Sequence, residues 1–284
     1  LNPRGGLIGD FTLGKLAEER FYIFGSGIAE EYHLRWFESQ LPAQGVSLRS
    51  LRQELVGLQI AGPKARELLS RVTAEDVSNQ ALPFLSFRRI DLGMLPVLLG
   101  RISFTGELGY ELWVAPEYQL ALYDLLVEAG EDLGLTHFGG RALHSLRLEK
   151  SFGAWTREYT PDYDPIGAGM GRFTDFRKNA FIGRDAAMKV RDDGPARKLC
   201  LFTVEAEDAD AVSDEPIFRD GEWAGFVTSG GYGHCIGQSL ALGYVNSDAI
   251  EPGGGYAIEI LGHRRPASLL AEPPVDPKGE RLRS

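Results

Sequence analysis

The sequence has few of the residues that build covalent or metal-based frameworks. It contains two cysteines and five histidines in 284 residues, and it has no C-x-x-C pair. Two thiols cannot make a disulfide framework, and the spacing offers neither a zinc site nor a redox motif. This cysteine usage favours a reducing compartment.

Long apolar runs and positive charge are also scarce. No segment approaches the length that spans a bilayer, and no signal-peptide core is present. The formal net charge is −10 and the sequence pI is about 5.1. We therefore expect neither nucleic acid nor an anionic membrane as the main partner, and an anionic ligand would need a local basic pocket.

Several common catalytic and nucleotide-binding motifs are missing. There is no G-x-S-x-G, HExxH, P-loop or EF-hand pattern. Residues 24–30, Phe-Gly-Ser-Gly-Ile-Ala-Glu, imitate a dinucleotide fingerprint, but Glu30 replaces the third glycine and no clear βαβ unit follows. His234 and Cys235 are adjacent and would point to opposite faces of a strand, so we interpret them as a surface loop. We expect no metal and no flavin site on this chain.

Residues 101–112, Arg-Ile-Ser-Phe-Thr-Gly-Glu-Leu-Gly-Tyr-Glu-Leu, are the most informative segment. They predict two short strands joined by a glycine-containing turn at 105–109. Alternation after the turn puts Glu111 and Trp113 on one face of the strand. A carboxylate fixed beside an indole can accept two parallel N–H bonds from an amidine edge, such as that of a pterin. A solvated glutamate beside a half-buried tryptophan is the alternative.

The order of predicted elements indicates an α+β protein that ends in a small β-barrel. Turn residues and proline at a first helical position mark the boundaries between these elements. The predicted elements are strands at 7–16, 20–24 and 54–60, three strands within 87–114, helices at 29–40, 62–71, 116–134, 141–152 and 184–190, and short strands from 198 onward. The segment 191–195 is the strongest linker signal.

The segment 101–112 closely resembles the signature hairpin of the glycine cleavage T-protein family, the tetrahydrofolate-dependent aminomethyltransferases and their relatives. Further segments resemble the same family in the same order, namely 1–10, 145–150 with Trp155 and 160–161, and 225–230 with 236–244. The closing segment 275–283 is similar to the tail of the dimethylglycine and sarcosine dehydrogenase branch. The resemblance covers essentially the whole chain.

The resemblance implies three subdomains around a central folate pocket. Residues 1–55 and 140–190 would form one discontinuous folate-binding domain, and 56–139 an inserted α+β ferredoxin-like subdomain. Residues 196–284 would form the C-terminal barrel. Because the chain opens within what looks like a strand–turn sequence, we expect it to be part of a longer polypeptide.

The resemblance also assigns the site. It places Asp10 on the family's functional aspartate, although spacing alone favours a turn or strand-end aspartate. The folate-binding positions that it implies are Glu111, Tyr110, Trp113, Ser26, Arg147 and Trp155. Arg141 or Arg147 would meet the folate carboxylate, and a structural ion pair is the alternative for Arg147.

Three positions depart from the family pattern. Ser26 stands where an asparagine is frequent, Leu143 where the aminomethyltransferases have an arginine, and Gly167 where relatives usually have a glutamate. These departures leave the details of folate binding open.

The implied function is one-carbon transfer to tetrahydrofolate from an iminium derived from an N-methyl amine, giving 5,10-methylenetetrahydrofolate. The implied partners are folate, a methylated amine and a flavin dehydrogenase domain or subunit, with FAD only on that separate or upstream part. A direct tetrahydrofolate-dependent demethylase and a folate-binding module without turnover are the alternatives. The expected location is a bacterial cytoplasm or a mitochondrial matrix.

Overall fold

The computed structural model describes all 284 residues and divides into two compact units. One unit comprises Phe11–Leu143 and Lys278–Ser284, and we call it the sheet unit. The other comprises Leu1–Asp10 and His144–Pro277, and we call it the barrel unit. No helix in either is long and apolar enough to cross a membrane. The division into three subdomains at 1–55 with 140–190, 56–139 and 196–284 stays a prediction.

The sheet unit contains a two-stranded hairpin and a four-stranded antiparallel sheet. Its elements in chain order are β1 (Thr12–Ala17), β2 (Arg20–Phe24), α1 (Glu30–Gln40), β3 (Val56–Ala61), α2 (Ala65–Arg71), β4 (Phe87–Leu92), β5 (Leu95–Gly100), β6 (Gly109–Val114) and α3 (Gln119–Gly130). The next helix, α4 (Gly140–Glu149), contributes residues to both units. Sequence periodicity therefore identified each of these elements, with ends that differ by a few residues.

One face of the four-stranded sheet is apolar and is covered by helices α2 and α3. The strand order is β3-β6-β5-β4. Side chains of both helices join those of the strands in one buried core, which includes Leu69, Leu122, Leu99, Leu112 and Tyr110. Burying such side chains contributes roughly 1.5–3 kcal/mol each relative to exposure. The core thus fixes which face of each strand remains for other contacts.

Two details of the predicted sheet are wrong. The connection order is strand, helix, three strands, helix, so the subdomain lacks the β-α-β-β-α-β order of a ferredoxin-like fold. The first of the two strands predicted within residues 101–112 is absent, because β5 ends at Gly100 and residues 101–108 form a loop. The reason is that Arg101 turns inward, where its guanidinium donates to the carbonyls of Leu82 and Ser284, both at 2.8 Å.

The first predicted strand begins later than expected, at Thr12 rather than at residue 7. Residues before it form a turn in which the Asn2 side-chain oxygen accepts from the backbone N–H of Arg4 and Gly6, at 2.9 and 3.0 Å. Leu7 then donates its N–H to the carbonyl of Tyr163 at 2.9 Å. These bonds hold the segment before Asp10 within the barrel unit.

The barrel unit ends in a closed barrel of six strands, which confirms the predicted C-terminal barrel. A helix, α5 (Arg184–Asp193), precedes it. The strands are β7 (Arg197–Val204), β8 (Pro216–Arg219), β9 (Glu222–Gly233), β10 (Gln238–Asn246), β11 (Tyr256–Ile260) and β12 (His263–Leu270). They close in the order β10-β7-β12-β11-β8-β9 around side chains such as Phe202, Ile217 and Ile258, which have no exposed surface. A last short helix, α6 (Glu280–Arg283), belongs to the sheet unit.

Candidate functional site

Glu111 lies in the middle of β6, on the face of the sheet opposite the core. Its neighbours in the register are Gln59 on β3 and Gly100 on β5. Tyr110, Leu112 and Val114 are buried on the core face, while Glu111 and Trp113 are only partly buried. The alternation predicted for this strand is therefore confirmed.

The Glu111 carboxyl lies in surroundings that disfavour its charged form. Burial raises its pKa from 4.5 to about 7, and no basic side chain forms an ion pair with it. A carboxyl group in this state gains most from a ligand that brings N–H donors or positive charge to it. Glu111 is thus a candidate acceptor for a ligand with two adjacent N–H groups.

Trp113 packs against aromatic rings of the sheet unit. Its ring stacks on that of Phe24 at 4.3 Å between centroids, and Phe24 stacks on Phe87 at 5.0 Å. Glycines make room for these rings, because a Cβ on Gly100 would lie 2.6 Å from Phe87 and 2.9 Å from Trp113. One face of the indole therefore serves to hold the β1–β2 hairpin against the sheet. No sequence pattern predicts the contribution of Phe24 and Phe87.

Tyr110 and Ser26 occupy different settings from Glu111. Tyr110 has no exposed surface and its ring belongs to the core of the sheet unit, so its position does not support the predicted contact with a ligand on the Glu111 face. Ser26 is partly exposed and precedes a short 3₁₀ helix, Gly27–Ala29, without capping it by its side chain. Its predicted role stays a prediction.

Asp10 is the last residue of the N-terminal segment of the barrel unit. Burial raises the pKa of its carboxyl, and a hydrogen bond from its own backbone opposes this. Within the same unit, burial and then the charge of Asp10 raise the pKa of Tyr159 to about 12. The Asp10 carboxyl and the Tyr159 phenol are therefore close enough to affect each other. No sequence pattern connects Tyr159 with Asp10, because 149 positions separate them.

Arg147 is fully buried in the barrel unit and forms an ion pair with Glu158 at 2.8 Å. Its other guanidinium hydrogen bonds go to the Phe152 carbonyl at 2.9 Å, the Ser229 hydroxyl at 2.6 Å and His144 Nδ1 at 3.2 Å. All three nitrogens thus have protein partners. In this structure Arg147 therefore forms the structural ion pair, and its contact with folate stays a prediction.

Glu158 has its own set of partners, which sequence reasoning missed. Its carboxylate accepts from Arg147, from the Ala154 N–H at 2.9 Å and from the Thr228 hydroxyl at 2.8 Å. The predicted site residue Trp155 lies next to this cluster, is 9% exposed and pairs by a parallel bridge with Tyr159. The segment 154–159 therefore contains both Trp155 and its bridge partner Tyr159, whose pKa is raised in part by the charge of Asp10.

The departure at Gly167 has a steric reason. A Cβ at this position would lie 2.4 Å from the carbonyl oxygen of Arg197 and 3.1 Å from the carboxylate of Asp164. Any larger residue would require the backbone to move. A glutamate, which the resemblance leads us to expect at this position, therefore has no room in this chain.

The barrel unit also has a cavity of about 1190 Å³ along β7 and β10. Four carboxylates line it, from Glu205, Glu207, Asp208 and Asp210, and none of the predicted site residues does. Its charge disfavours an anionic ligand. This cavity is therefore a poor candidate for the predicted site.

Comparisons with known proteins agree with the architecture of both units. A family model described as "GCVT N-terminal domain" matches residues 1–178, and one described as "Glycine cleavage T-protein C-terminal barrel domain" matches residues 197–276. The structure of glycine cleavage system aminomethyltransferase T from Bartonella henselae superimposes with a TM-score of 0.85 at 25% identity, over 98% of this chain and 74% of that one.

Two curated relatives differ in how much of their length the chain covers. The chain is 36% identical over 287 residues to human mitochondrial dimethylglycine dehydrogenase, covering 99% of this chain and 33% of that protein. It is 30% identical over 256 residues to an aminomethyltransferase of Halothermothrix orenii, covering 90% of this chain and 71% of that one. The chain thus spans about a third of the length of the dehydrogenase.

We predict that Glu111→Gln stabilises the chain at high pH. The raised pKa means that wild-type stability is fully present below pH 4.5 and is lost as the pH rises through about 7. The loss amounts to at most about 3 kcal/mol. Both proteins are unfolded thermally in a calorimeter. The melting temperature of Glu111→Gln should exceed that of the wild type by an amount that grows between pH 5 and pH 8. The exposed Glu117→Gln is the control, and an advantage that is equal at both pH values would contradict the prediction.

We predict that Arg147→Met destabilises the barrel unit by about 3–5 kcal/mol, because Glu158 would remain as a buried charge without its partner. The double variant Arg147→Met with Glu158→Gln should recover much of this loss. Denaturant unfolding measures both changes. Arg177→Met is the control, since its pair with Asp175 is largely exposed and an exposed ion pair contributes little to stability. Equal losses for Arg147→Met and Arg177→Met would contradict the prediction.

Proposed function

The chain belongs to the glycine cleavage T-protein family, and from that premise we propose that it binds tetrahydrofolate and transfers a one-carbon unit to it. Tetrahydrofolate supplies the nucleophilic nitrogens that accept the carbon. The donor is an N-methyl amine after its oxidation to an iminium. The products are 5,10-methylenetetrahydrofolate, the demethylated amine and one proton.

The observation that carries this proposal is the state of Glu111. It is a partly buried carboxyl with a pKa of about 7 and no cationic partner, fixed on a paired strand. A pterin edge offers an N–H and an amino group side by side, which suits the two oxygens of one carboxylate. Such a pair of hydrogen bonds would hold the ring in one orientation, so that the folate nitrogen is already positioned for attack on the carbon.

Asp10 takes the role of the proton-handling carboxylate in this proposal. Its raised pKa makes it a better base than an exposed aspartate, and the neighbouring Tyr159 phenol stays protonated at neutral pH. A carboxylate of this kind can hold the attacking N–H and take its proton as the carbon–nitrogen bond forms.

The amine and its oxidation belong to other parts of the protein or to a partner. The chain corresponds to about a third of dimethylglycine dehydrogenase, and it has no dinucleotide motif for a flavin. We therefore propose a flavin-dependent amine dehydrogenase domain or subunit as the source of the iminium. A small N-methyl amine is the substrate class, and a mitochondrial matrix or a bacterial cytoplasm is the compartment.

We predict that Glu111 dominates pterin binding. Glu111→Gln should weaken binding of 5-formyltetrahydrofolate by about 2–4 kcal/mol, because a charge-assisted pair is lost. Isothermal titration calorimetry gives the affinity directly. Glu117→Gln, on the same unit, should bind as the wild type does. Unchanged affinity of Glu111→Gln would remove this residue from the site.

The same interaction predicts a pH dependence. N–H donors from a ligand favour the ionised carboxylate, so the pKa of Glu111 should fall on binding. Wild-type affinity should therefore be full above about pH 7 and decrease roughly tenfold from pH 8 to pH 6. The Glu111→Gln variant should have a flat profile over this range. A wild-type profile that is equally flat would contradict the assignment.

We predict that Asp10→Asn keeps most folate affinity and loses one-carbon transfer by about 10²-fold or more, because the proton acceptor is gone. A ¹³C-labelled N-methyl amine, a flavin amine dehydrogenase and an excess of formaldehyde dehydrogenase are supplied together. Under these conditions free formaldehyde is removed, so only directly transferred label reaches 5,10-methylenetetrahydrofolate. NMR of the products measures the label.

The control is Asp162→Asn, an exposed carboxylate of the same unit. It should transfer label as the wild type does. Full transfer by Asp10→Asn, or loss of its folded structure, would count against a chemical role for Asp10. Absence of label in folate with the wild type would support a folate-binding module without turnover.

A further inference from the structure

Gln59 faces Glu111 across the β3–β6 strand pair. The two residues are direct partners in the register, so their side chains project from the same face of the sheet. Directly opposite residues have Cβ atoms about 4.5–5.5 Å apart. Any ligand held by the Glu111 carboxylate is therefore within reach of the Gln59 side chain.

The Gln59 amide nitrogen is buried and has no hydrogen-bond partner. Buried polar atoms in folded proteins nearly always have a partner, and one without a partner is destabilising. The next positions toward the start of β3 and the end of β6 on this face carry the glycine Gly57 and the Trp113 ring, which offer no side-chain oxygen. This donor is also not used by Glu111, although the two side chains face each other. An acceptor from outside the chain would satisfy it.

We propose that Gln59 is a second recognition residue, which donates its amide N–H to the ring carbonyl of a bound pterin. The inference rests on the proposed function, in which Glu111 accepts from the pterin. In that ring the amino group, the ring N–H and the carbonyl oxygen stand in a row. A carboxylate that takes the two donors therefore leaves the carbonyl oxygen beside it, on the side where a neighbouring strand can supply a donor.

The pair would select the 2-amino-4-oxo pattern as a whole. Glu111 alone recognises any amidine edge, including that of a guanidinium or a diaminopyrimidine. A donor from Gln59 adds the requirement for an acceptor next to that edge. The terminal torsion of a glutamine is soft, so the amide can turn toward a ligand while β3 stays in place.

The test uses the whole chain and 5-formyltetrahydrofolate as the probe, with calorimetry for affinity and for thermal unfolding. Gln59→Met keeps the length of the side chain and removes the donor, and it should bind about 3- to 10-fold more weakly than the wild type. Gln59→Glu puts a second carboxylate beside Glu111 and should bind more weakly still. Gln53→Met, on the exposed loop before β3, is the matched control and should bind normally.

Two further readouts separate recognition from a structural role. Without ligand, Gln59→Met should be at least as stable as the wild type, because an unsatisfied buried donor is removed. In ¹H–¹⁵N spectra, the side-chain amide signal of Gln59 is identified by its absence from Gln59→Met. This signal should shift in the wild type when the probe is added. A variant that loses affinity and melting temperature together, with no amide shift in the wild type, would overturn the inference.

Failure of the role of Gln59 and failure of the proposed function give different results. If the wild type binds the probe and Glu111→Gln does not, while Gln59→Met binds like the wild type, the role of Gln59 is overturned and that of Glu111 stands. If the wild type does not bind the probe at all, the proposed function is overturned, and the role of Gln59 with it.

Discussion

The alternation of side chains along β6 is the constraint on which the sheet unit depends. Adjacent residues on a strand must point to opposite faces, and the apolar set of Tyr110, Leu112 and Val114 fixes the core face. A slip of one residue would bring Glu111 and Trp113 into the core and expose all three apolar side chains. The energy that packs the core thus also fixes the direction of the carboxylate. Its orientation needs no dedicated hydrogen bond.

The barrel unit uses a buried charge pair for a comparable purpose. Arg147 and Glu158 have no exposed surface, and removing charges from water is costly unless their hydrogen bonds are satisfied. The hydrogen bonds of this pair are satisfied, because partners come from the 152–154 turn and from strand β9. Tyr244 adds a hydrogen bond from its hydroxyl to the Glu158 carbonyl at 2.8 Å. A pair that joins a helix, a turn and the barrel wall defines one arrangement of these elements, so Arg147 is committed to structure.

Local pattern explains what the sequence could predict. The helices and strands follow from apolar periodicity, and the barrel follows from short strands between glycine, aspartate and proline turns. Alternation alone predicts that Glu111 and Trp113 lie on the same face of β6. By contrast, the end of β5 at Gly100 depends on Arg101 reaching carbonyls of Leu82 and Ser284, and the latter is 183 residues away. Sequence pattern carries no information about contacts of this kind.

The same limit applies to contacts around the predicted site residues. Arg147 and Glu158 are 11 positions apart, and no period of a helix or strand pairs them across a turn. The resemblance assigns Tyr110 to the site together with Glu111, yet alternation along β6 places its ring on the opposite face. The role proposed for Gln59 depends on its register with Glu111, which the sequence alone does not reveal. Residues that act through cross-strand neighbours therefore need coordinates to be recognised.

The two candidate carboxylates share one property, which is burial without a counter-charge. Burial raises the pKa of both Asp10 and Glu111, each within its own unit, and neither has a cation beside it. Where the fold has buried charge for stability, as at Glu158, it supplies an arginine and several donors. A carboxyl that is buried but left unpaired contributes nothing to folding and is destabilising when ionised. A ligand that brings N–H donors to such a carboxyl would remove this cost, so the stability lost in the free protein would return as binding energy.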